Sequence, residues 1–247
     1  MIKYIFLGVI QGLTEFLPVS SSGHLAVAQR LLGITGQEIA VSVILHLGTL
    51  VAMFIFFFQD ILKLLRDFKK IFLILIVTLI TGAIGILGKD FFEGLFSSPK
   101  LIALAWIITG TILILTRKSH SATRKNVSIK DAGILGLTQG MAIIPGLSRS
   151  GVTISTLLFR GLDRETSFKF SFLASMPAVL GAAILEGKDI NFAFKAEPVN
   201  LLAGFLCSLV AGLLALGILR VVLNKAKLYY FGYYCLLIAL VTLLIIR

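Results

Sequence analysis

Acidic side chains are scarce in this 247-residue chain: 12 Asp and Glu stand against 23 Lys and Arg, and charged residues of both signs make up only 14% of it. So thin a charged share, beside 57% hydrophobic residues and a mean hydropathy of +1.00, excludes a soluble globular enzyme and a disordered chain. Cysteine is scarcer still. Cys207 and Cys235 sit alone inside apolar runs, without the paired spacing of a zinc or redox site, and read as small core- or lipid-facing residues. The net charge of +11 would ordinarily raise nucleic-acid binding, but that needs basic groups gathered on a water-facing surface. What the composition leaves is an all-α integral membrane protein, a single polytopic domain over 1–247 with no room for a separate soluble one.

Length and apolar fraction allow about six to eight spans, since a helix rising 1.5 Å per residue needs roughly 20 residues to cross about 30 Å of hydrocarbon. Long apolar runs occur at about 40–58, 71–88, 101–116, 168–186, 199–219 and 228–246, predicting six transmembrane helices. Two further apolar segments, about 1–33 and 131–160, are each broken midway by Pro, Ser and Gly. Pieces of 10–15 residues are too short to cross and suit re-entrant helix pairs. Ala26-Val27-Ala28 mimics a signal cleavage site, but Gln11, Thr14 and Glu15 interrupt the stretch ahead of it, so cleavage is not expected.

Basic residues test that topology through the positive-inside bias. Lys63, Arg66, Lys69 and Lys70, then Arg117, Lys118, Arg124, Lys125 and Lys130, then Arg160, Arg164 and Lys169, then Arg220, Lys225 and Lys227 place fifteen charges on the cytoplasmic side. Seven fall on the other side: Lys3, Arg30, Lys89, Lys100, Lys188, Lys195 and Arg247. Only Arg149 is left over, and none of the 23 forms a nucleic-acid surface. The alternation works if 131–160 leaves and returns on the cytoplasmic side and 1–33 does so on the outer side. The two broken segments also share sequence: Gln11-Gly12, Pro18, Ser20, Ser22 and Gly23 are echoed by Gln139-Gly140, Pro145, Ser148, Ser150 and Gly151. Opposite orientation with similar sequence describes an inverted-topology repeat, its halves about 1–116 and 131–247, whose site lies where the broken helices meet.

The chemistry available there is that of an anion site. Pro145-Gly146 stops one helix and Ser148 is placed to N-cap the next, leaving backbone N–H groups around Ser148, Ser150 and Gly151; Pro18 and the run Ser20, Ser21, Ser22 do the same in the first segment. Two positive helix ends and several hydroxyls suit a phosphate. Arg149 at membrane depth costs roughly 2.5–3.5 kcal/mol on insertion scales, which points to a definite use, either bidentate phosphate binding or a structural pair with a carboxylate. Thr153, one turn further on, offers another hydroxyl. Glu15 is the other costly charge, four residues after Gln11 on the same helical face. Either a divalent cation, Mg2+ or Ca2+ since every available ligand is oxygen, bridges Glu15 and phosphate oxygens, or Glu15 pairs with Arg149 directly. His24 is near enough to the serines for general acid or base work. His46, inside an apolar span, reads as a core hydrogen-bonder, and His120 as a solvated loop residue.

The stretch Gln11-Gly12-Leu13-Thr14-Glu15-Phe16-Leu17-Pro18-Val19-Ser20-Ser21-Ser22-Gly23-His24, with Pro145-Gly146-Leu147-Ser148-Arg149-Ser150-Gly151-Val152-Thr153, resembles the undecaprenyl-diphosphate phosphatases of bacteria, the bacitracin-resistance phosphatases. The family's first motif often opens on Glu; here Gln11 stands there, which leaves Glu15 as the acidic group of the motif. The resemblance implies a multi-pass bacterial plasma-membrane enzyme that removes the terminal phosphate of undecaprenyl diphosphate with a divalent cation. That reaction recycles the lipid carrier for cell-wall synthesis and underlies bacitracin resistance. It also implies Glu15 as an essential acidic residue, Ser21 and His24 as catalytic and Arg149 as the catalytic-site group that holds the diphosphate; the residues themselves add Glu15 as metal ligand and Gln11, Ser20, Ser22, Ser148, Ser150 and Thr153 as substrate-binding. Two routes stay open: attack by Ser21 with His24 as base, or by an activated water. So does a rival from another class, a transporter flipping a lipid-linked phosphate through the same site. Partners are the lipid-linked diphosphate and membrane lipid; oligomeric state, a homodimer included, is open.

Overall fold

A computed structural model describes residues 1–34, 38–96, 98–119, 123–185 and 197–245, so Lys188, Lys195, Arg247 and His120 lie outside the described residues. Twelve α-helices occur among the described residues: α1 Ile2–Phe16, α2 Ser21–Leu31, α3 Glu38–Phe56, α4 Phe58–Leu64, α5 Phe68–Leu87, α6 Lys89–Phe96, α7 Pro99–Leu115, α8 Ile129–Met141, α9 Arg149–Phe159, α10 Arg164–Leu185, α11 Pro198–Asn224 and α12 Tyr229–Ile245. The only extended pairing among them is an isolated bridge between Arg124 and Leu162.

Five helices are long and apolar enough to cross a membrane: α3, α5, α7 with its short 3-10 extension to Lys118, α10 and α11. Each covers one of the apolar runs read from sequence. The sixth run forms α12, whose 17 residues extend about 26 Å at 1.5 Å per residue. Helix starts follow capping chemistry: Asp67 accepts from Lys70 N, Ser98 from Leu101 N ahead of Pro99, and Ser128 closes a capping box with Asp131. Two short helices, α4 and α6, occupy connections that the apolar pattern leaves as loops.

Small residues set the closest helix contacts. Gly8 and Gly12 face α11, where a Cβ on Gly8 would run into the Gly204 carbonyl and one on Gly12 would lie 2.6 Å from Ala211 Cβ. On the other broken segment Gly136 and Gly140 face α5, where a Cβ would lie 2.8 Å from Ile80 Cβ and 2.9 Å from Ile84 Cβ. Such spacing lets backbones approach where no hydrophobic gain separates protein from lipid. Gly110 of α7 and Gly232 of α12 meet in the same way, each against the other's carbonyl. At the end of α1, Phe16 packs edge-on to Phe172 of α10, which joins a ring cluster with Phe57 and Phe168.

Both broken pairs return to where they start. Lys3 Nζ donates to Leu32 O at 2.6 Å, bringing together the ends of α1 and α2. Arg124 N donates to Gly161 O at 3.1 Å and Asp163 N to Arg124 O at 2.9 Å, joining the ends of α8 and α9. Beneath them Asp131, fully buried, takes Arg124 at 2.6 and 3.0 Å and Arg160 at 2.9 Å. The four basic segments gather at one end of the molecule: Lys169 pairs with Asp60, Arg220 with Glu165, and Arg164 donates to Asn224 O. The ends of α1 and α2 lie away from it, at the start of α3, where Gln29 Nε2 donates to Glu38 O.

Candidate active site

The breaks in the two helix pairs face each other. In the first, Leu17 leaves the helix in an extended conformation after Phe16, and Ser20 takes a positive φ of 70° before α2 begins. That conformation is costly for a residue with a Cβ, about 1–3 kcal/mol, and persists only when its surroundings hold it. Here they do: Ser20 Oγ accepts from Gly23 N and from Gly146 N at 3.1 Å, and Ser20 O accepts from His24 Nδ1 at 2.7 Å. In the second break Gly146 has φ +95°, and a Cβ there would run into the Ile102 carbonyl, so only glycine fits. Ser148 caps α9, its Oγ accepting from Gly151 N at 3.1 Å, as the sequence predicts.

One helix holds both breaks. Trp106 Nε1 of α7 donates to Val19 O at 2.8 Å, and one turn on Thr109 Oγ1 donates to Gly146 O at 3.0 Å and accepts from Ser148 N at 3.1 Å. Ser150 Oγ reaches Leu17 O at 3.5 Å, and buried Cys235 places its Sγ 3.6 Å from Pro18 O. Both cysteines are unpaired, Cys235 buried and Cys207 half-buried.

Glu15 is at the centre. Arg149 Nη2 forms a direct ion pair with its Oε1. Its Oε2 accepts from Ser21 Oγ at 2.5 Å and from Gln11 Nε2 at 3.1 Å, and His46 Nε2 lies 3.4 Å from the same oxygen. The Glu15 side chain is only 5% exposed and that of Arg149 16%. Two polar atoms of this cluster are buried without a hydrogen-bond partner: Arg149 Nη1 and Gln11 Oε1. A buried unsatisfied donor or acceptor costs about 1–3 kcal/mol, so both mark places where a ligand atom would be stabilising.

Other residues singled out from sequence have separate partners. His24 stacks on Tyr234 with its Nε2 at 2.8 Å from the phenol oxygen, and sits edge-on to Trp106. Ser20 and Ser22 are 3.3 Å apart, as are Ser148 and Ser150. Thr153 is fully buried, donating to Arg149 O at 2.6 Å and lying 2.6 Å from Ser171 Oγ. Its hydroxyl is spent on the helix and on α10 rather than on the Glu15 cluster. His46, read from sequence as a core residue, does make the backbone bond expected of one, Nδ1 to Ser42 O at 2.7 Å, but its other nitrogen faces Glu15. Tyr234 and Trp106 also escaped the sequence reading. No local signal points to any of the three, because His46 reaches Glu15, and Tyr234 and Trp106 reach His24, from other helices.

Among the described residues no group of three or more His, Cys, Asp and Glu is arranged to hold a metal ion. An oxygen-ligated cation has a smaller set here: the Glu15 carboxylate, the unpartnered Gln11 Oε1 and Ser21 Oγ, with the rest from ligand or water. The donor set fits a hard divalent ion completed by phosphate oxygens.

Comparison with known proteins follows the same lines. A model of the family described as Bacitracin resistance protein BacA matches residues 4–241. The chain is 42% identical over 257 residues to the undecaprenyl-diphosphatase of Alkaliphilus metalliredigens (strain QYMF), covering 94% of each chain. It is 41% identical to that of Halothermothrix orenii, over 98% of this chain and 97% of the relative. It is 38% identical to that of Methanosphaera stadtmanae, over 99% and 98%. With the match running through both broken segments and nearly end to end, the chain belongs to the BacA family of bacitracin resistance proteins.

Proposed function

We propose that the chain hydrolyses undecaprenyl diphosphate to undecaprenyl phosphate and inorganic phosphate in a membrane, recycling the lipid carrier for cell-wall synthesis and conferring bacitracin resistance. The observation that carries this reading to the residues is the convergence of Glu15, Ser21 and Arg149 where the two breaks meet, in a chain whose relatives carry that activity by name. Five membrane-length helices suit a substrate whose long tail lies among lipids.

The finer architecture is an inverted repeat of two re-entrant pairs, α1–α2 and α8–α9, with six spans counting α12. Support comes from packing: α1 lies along α11 through Gly8 and Gly12, as α8 lies along α5 through Gly136 and Gly140, 128 residues later in each case. The ends of the two pairs close at opposite ends of the molecule. The basic end is then cytoplasmic, and a bacterial plasma membrane is the natural setting.

In the reaction, Arg149 holds the diphosphate through Nη1, the donor without a partner, while Nη2 stays on Glu15. The Ser148 hydroxyl, the first amides of α9 and the neighbouring Ser20, Ser22 and Ser150 hydroxyls favour the remaining negative charge. Glu15 and the Gln11 oxygen would hold a divalent cation, Mg2+ or Ca2+, which would neutralise charge at the phosphate oxygens when bound. Ser21 Oγ attacks the terminal phosphorus and passes its proton to Glu15 Oε2, 2.5 Å away. The bond from phosphorus to the bridging oxygen breaks, undecaprenyl phosphate leaves, and water then cleaves the phosphoserine to release phosphate and restore the hydroxyl. Glu15 takes the base role because the two ring nitrogens of His24 are engaged by Ser20 O and Tyr234 Oη. Direct attack by water is the alternative chemistry, and no observation favours the transporter reading.

Purified protein in detergent, given undecaprenyl diphosphate and Mg2+, is expected to release phosphate, and Glu15→Gln protein is not. A wild-type preparation that binds the lipid yet releases nothing would overturn the assignment.

A further inference from the structure

His46 stands in the site but has no part in the mechanism above. Its Nδ1 lies 2.7 Å from Ser42 O one turn earlier on α3, and a carbonyl can only accept, so Nδ1 carries the proton. In the neutral ring that leaves the Nε2 lone pair facing outward, 3.4 Å from Glu15 Oε2. Two lone pairs so placed repel unless a proton or a metal cation lies between them. A histidine that gives one ring N–H to a backbone carbonyl and turns its other nitrogen toward a carboxylate has the arrangement of a metal-ligating imidazole oriented from behind.

Independent support lies on the same side of Glu15. Gln11 is fully buried, its Nε2 touches the same Oε2 at 3.1 Å, and its Oε1 has no hydrogen-bond partner. The amide is pinned by its nitrogen end, also 3.5 Å from Thr49 Oγ1, one turn from His46 on α3. Glu15 Oε2 and His46 Nε2 thus meet between α1 and α3, beside the Gln11 amide whose oxygen has no partner, while Arg149 takes the other carboxylate oxygen.

We infer that His46 Nε2 is a ligand of the divalent cation held by Glu15 and Gln11, making a mixed nitrogen and oxygen site in place of the all-oxygen one expected from sequence. This rests on the cation reading of the proposed function and extends it: an imidazole ligand favours Mn2+ and Co2+ over Ca2+, which prefers oxygen throughout.

The test uses Mn2+ alone with purified full-length protein in detergent after removal of any histidine tag, read by electron paramagnetic resonance rather than turnover. Wild-type protein should bind Mn2+ with pulsed-resonance coupling to an imidazole 14N, and that coupling should vanish in His46→Ala but persist in His24→Ala. His46→Ala should bind Mn2+ about tenfold or more weakly, while its affinity for Ca2+ changes less. Unchanged thermal unfolding of the variant without metal shows that it is folded; if His46→Ala is not, His46→Gln, which keeps the size and a hydrogen-bonding end, should bind but lack the nitrogen coupling. Mn2+ bound in a Glu15-dependent way without nitrogen coupling, or with coupling that survives His46→Ala, overturns the ligand while leaving the cation site standing. Absence of any Glu15-dependent Mn2+ binding overturns both.

Discussion

At the scale of single residues, the site depends on donor geometry more than on charge. Arg149 has one terminal guanidinium nitrogen on Glu15 and the other buried without a partner, so in the proposed reaction a planar fork serves carboxylate and diphosphate together. Arg149→Lys keeps the charge but loses the fork, and kcat/KM for undecaprenyl diphosphate is expected to fall about 100-fold, or about 2.7 kcal/mol. Retention of more than about half the wild-type value would show that a point charge suffices. Ser21 sits 2.5 Å from Glu15 Oε2. Acid quench of enzyme turning over 32P-labelled substrate is expected to trap phosphoserine, lost in Ser21→Ala; full turnover by that variant would move the nucleophile to water. These residues were legible in sequence because Glu15, Ser21 and Arg149 interrupt apolar segments where polar groups are expensive. His46 was not, since a single histidine in an apolar helix looks the same whether it faces core or carboxylate.

Whole helices show a similar division. Capping chemistry and apolar run length are local, so the starts of α7, α8 and α9 follow from Ser98-Pro99, the Ser128 and Asp131 box, and Ser148. Which helix lies against which is not local. Gly12 of α1 matters because Ser208, Ala211 and Gly212 of α11 leave no room for a Cβ. Gly12→Leu is expected to destabilise by about 1–3 kcal/mol or more, seen as a lower unfolding temperature in detergent, with activity lost as α1 and Glu15 shift. Gly217 faces open space, and Gly217→Leu should unfold like the wild type. Asp131 anchors the other pair: Asp131→Asn leaves Arg124 and Arg160 without their shared charge. Because both guanidiniums keep access to water, with 36% and 39% of their side chains exposed, the expected cost is about 1–3 kcal/mol rather than that of a sealed ion pair. A cysteine pair tying Arg124's segment to that of Gly161 should restore the lost stability.

For the molecule as a whole, the proposed assignment of sides rests on charge placement. Single cysteines in place of Lys63, Lys125 and Lys225 should react with a membrane-impermeant maleimide only when the cytoplasmic face is open, and those in place of Arg30 and Lys100 only from the other face. Labelling of Arg30 and Lys125 positions from one side would overturn the proposed inverted arrangement. The same asymmetry is visible in the fold, where Lys169 with Asp60 and Arg220 with Glu165 draw the basic segments together at one end.

Sequence by itself determined the class and the positions of the long apolar helices, because these depend on composition and on residues within one or two turns of each other. It also marked the two breaks, since Pro and Gly act on their own backbone. Only the tertiary structure decided what the breaks surround. Trp106 and Thr109 of α7 hold both tips, His46 comes from α3, Tyr234 meets His24 from α12, and Thr153 turns to Ser171 instead of the cluster. Each of those meetings joins different helices, and it is set by close packing at small residues, which no local pattern encodes.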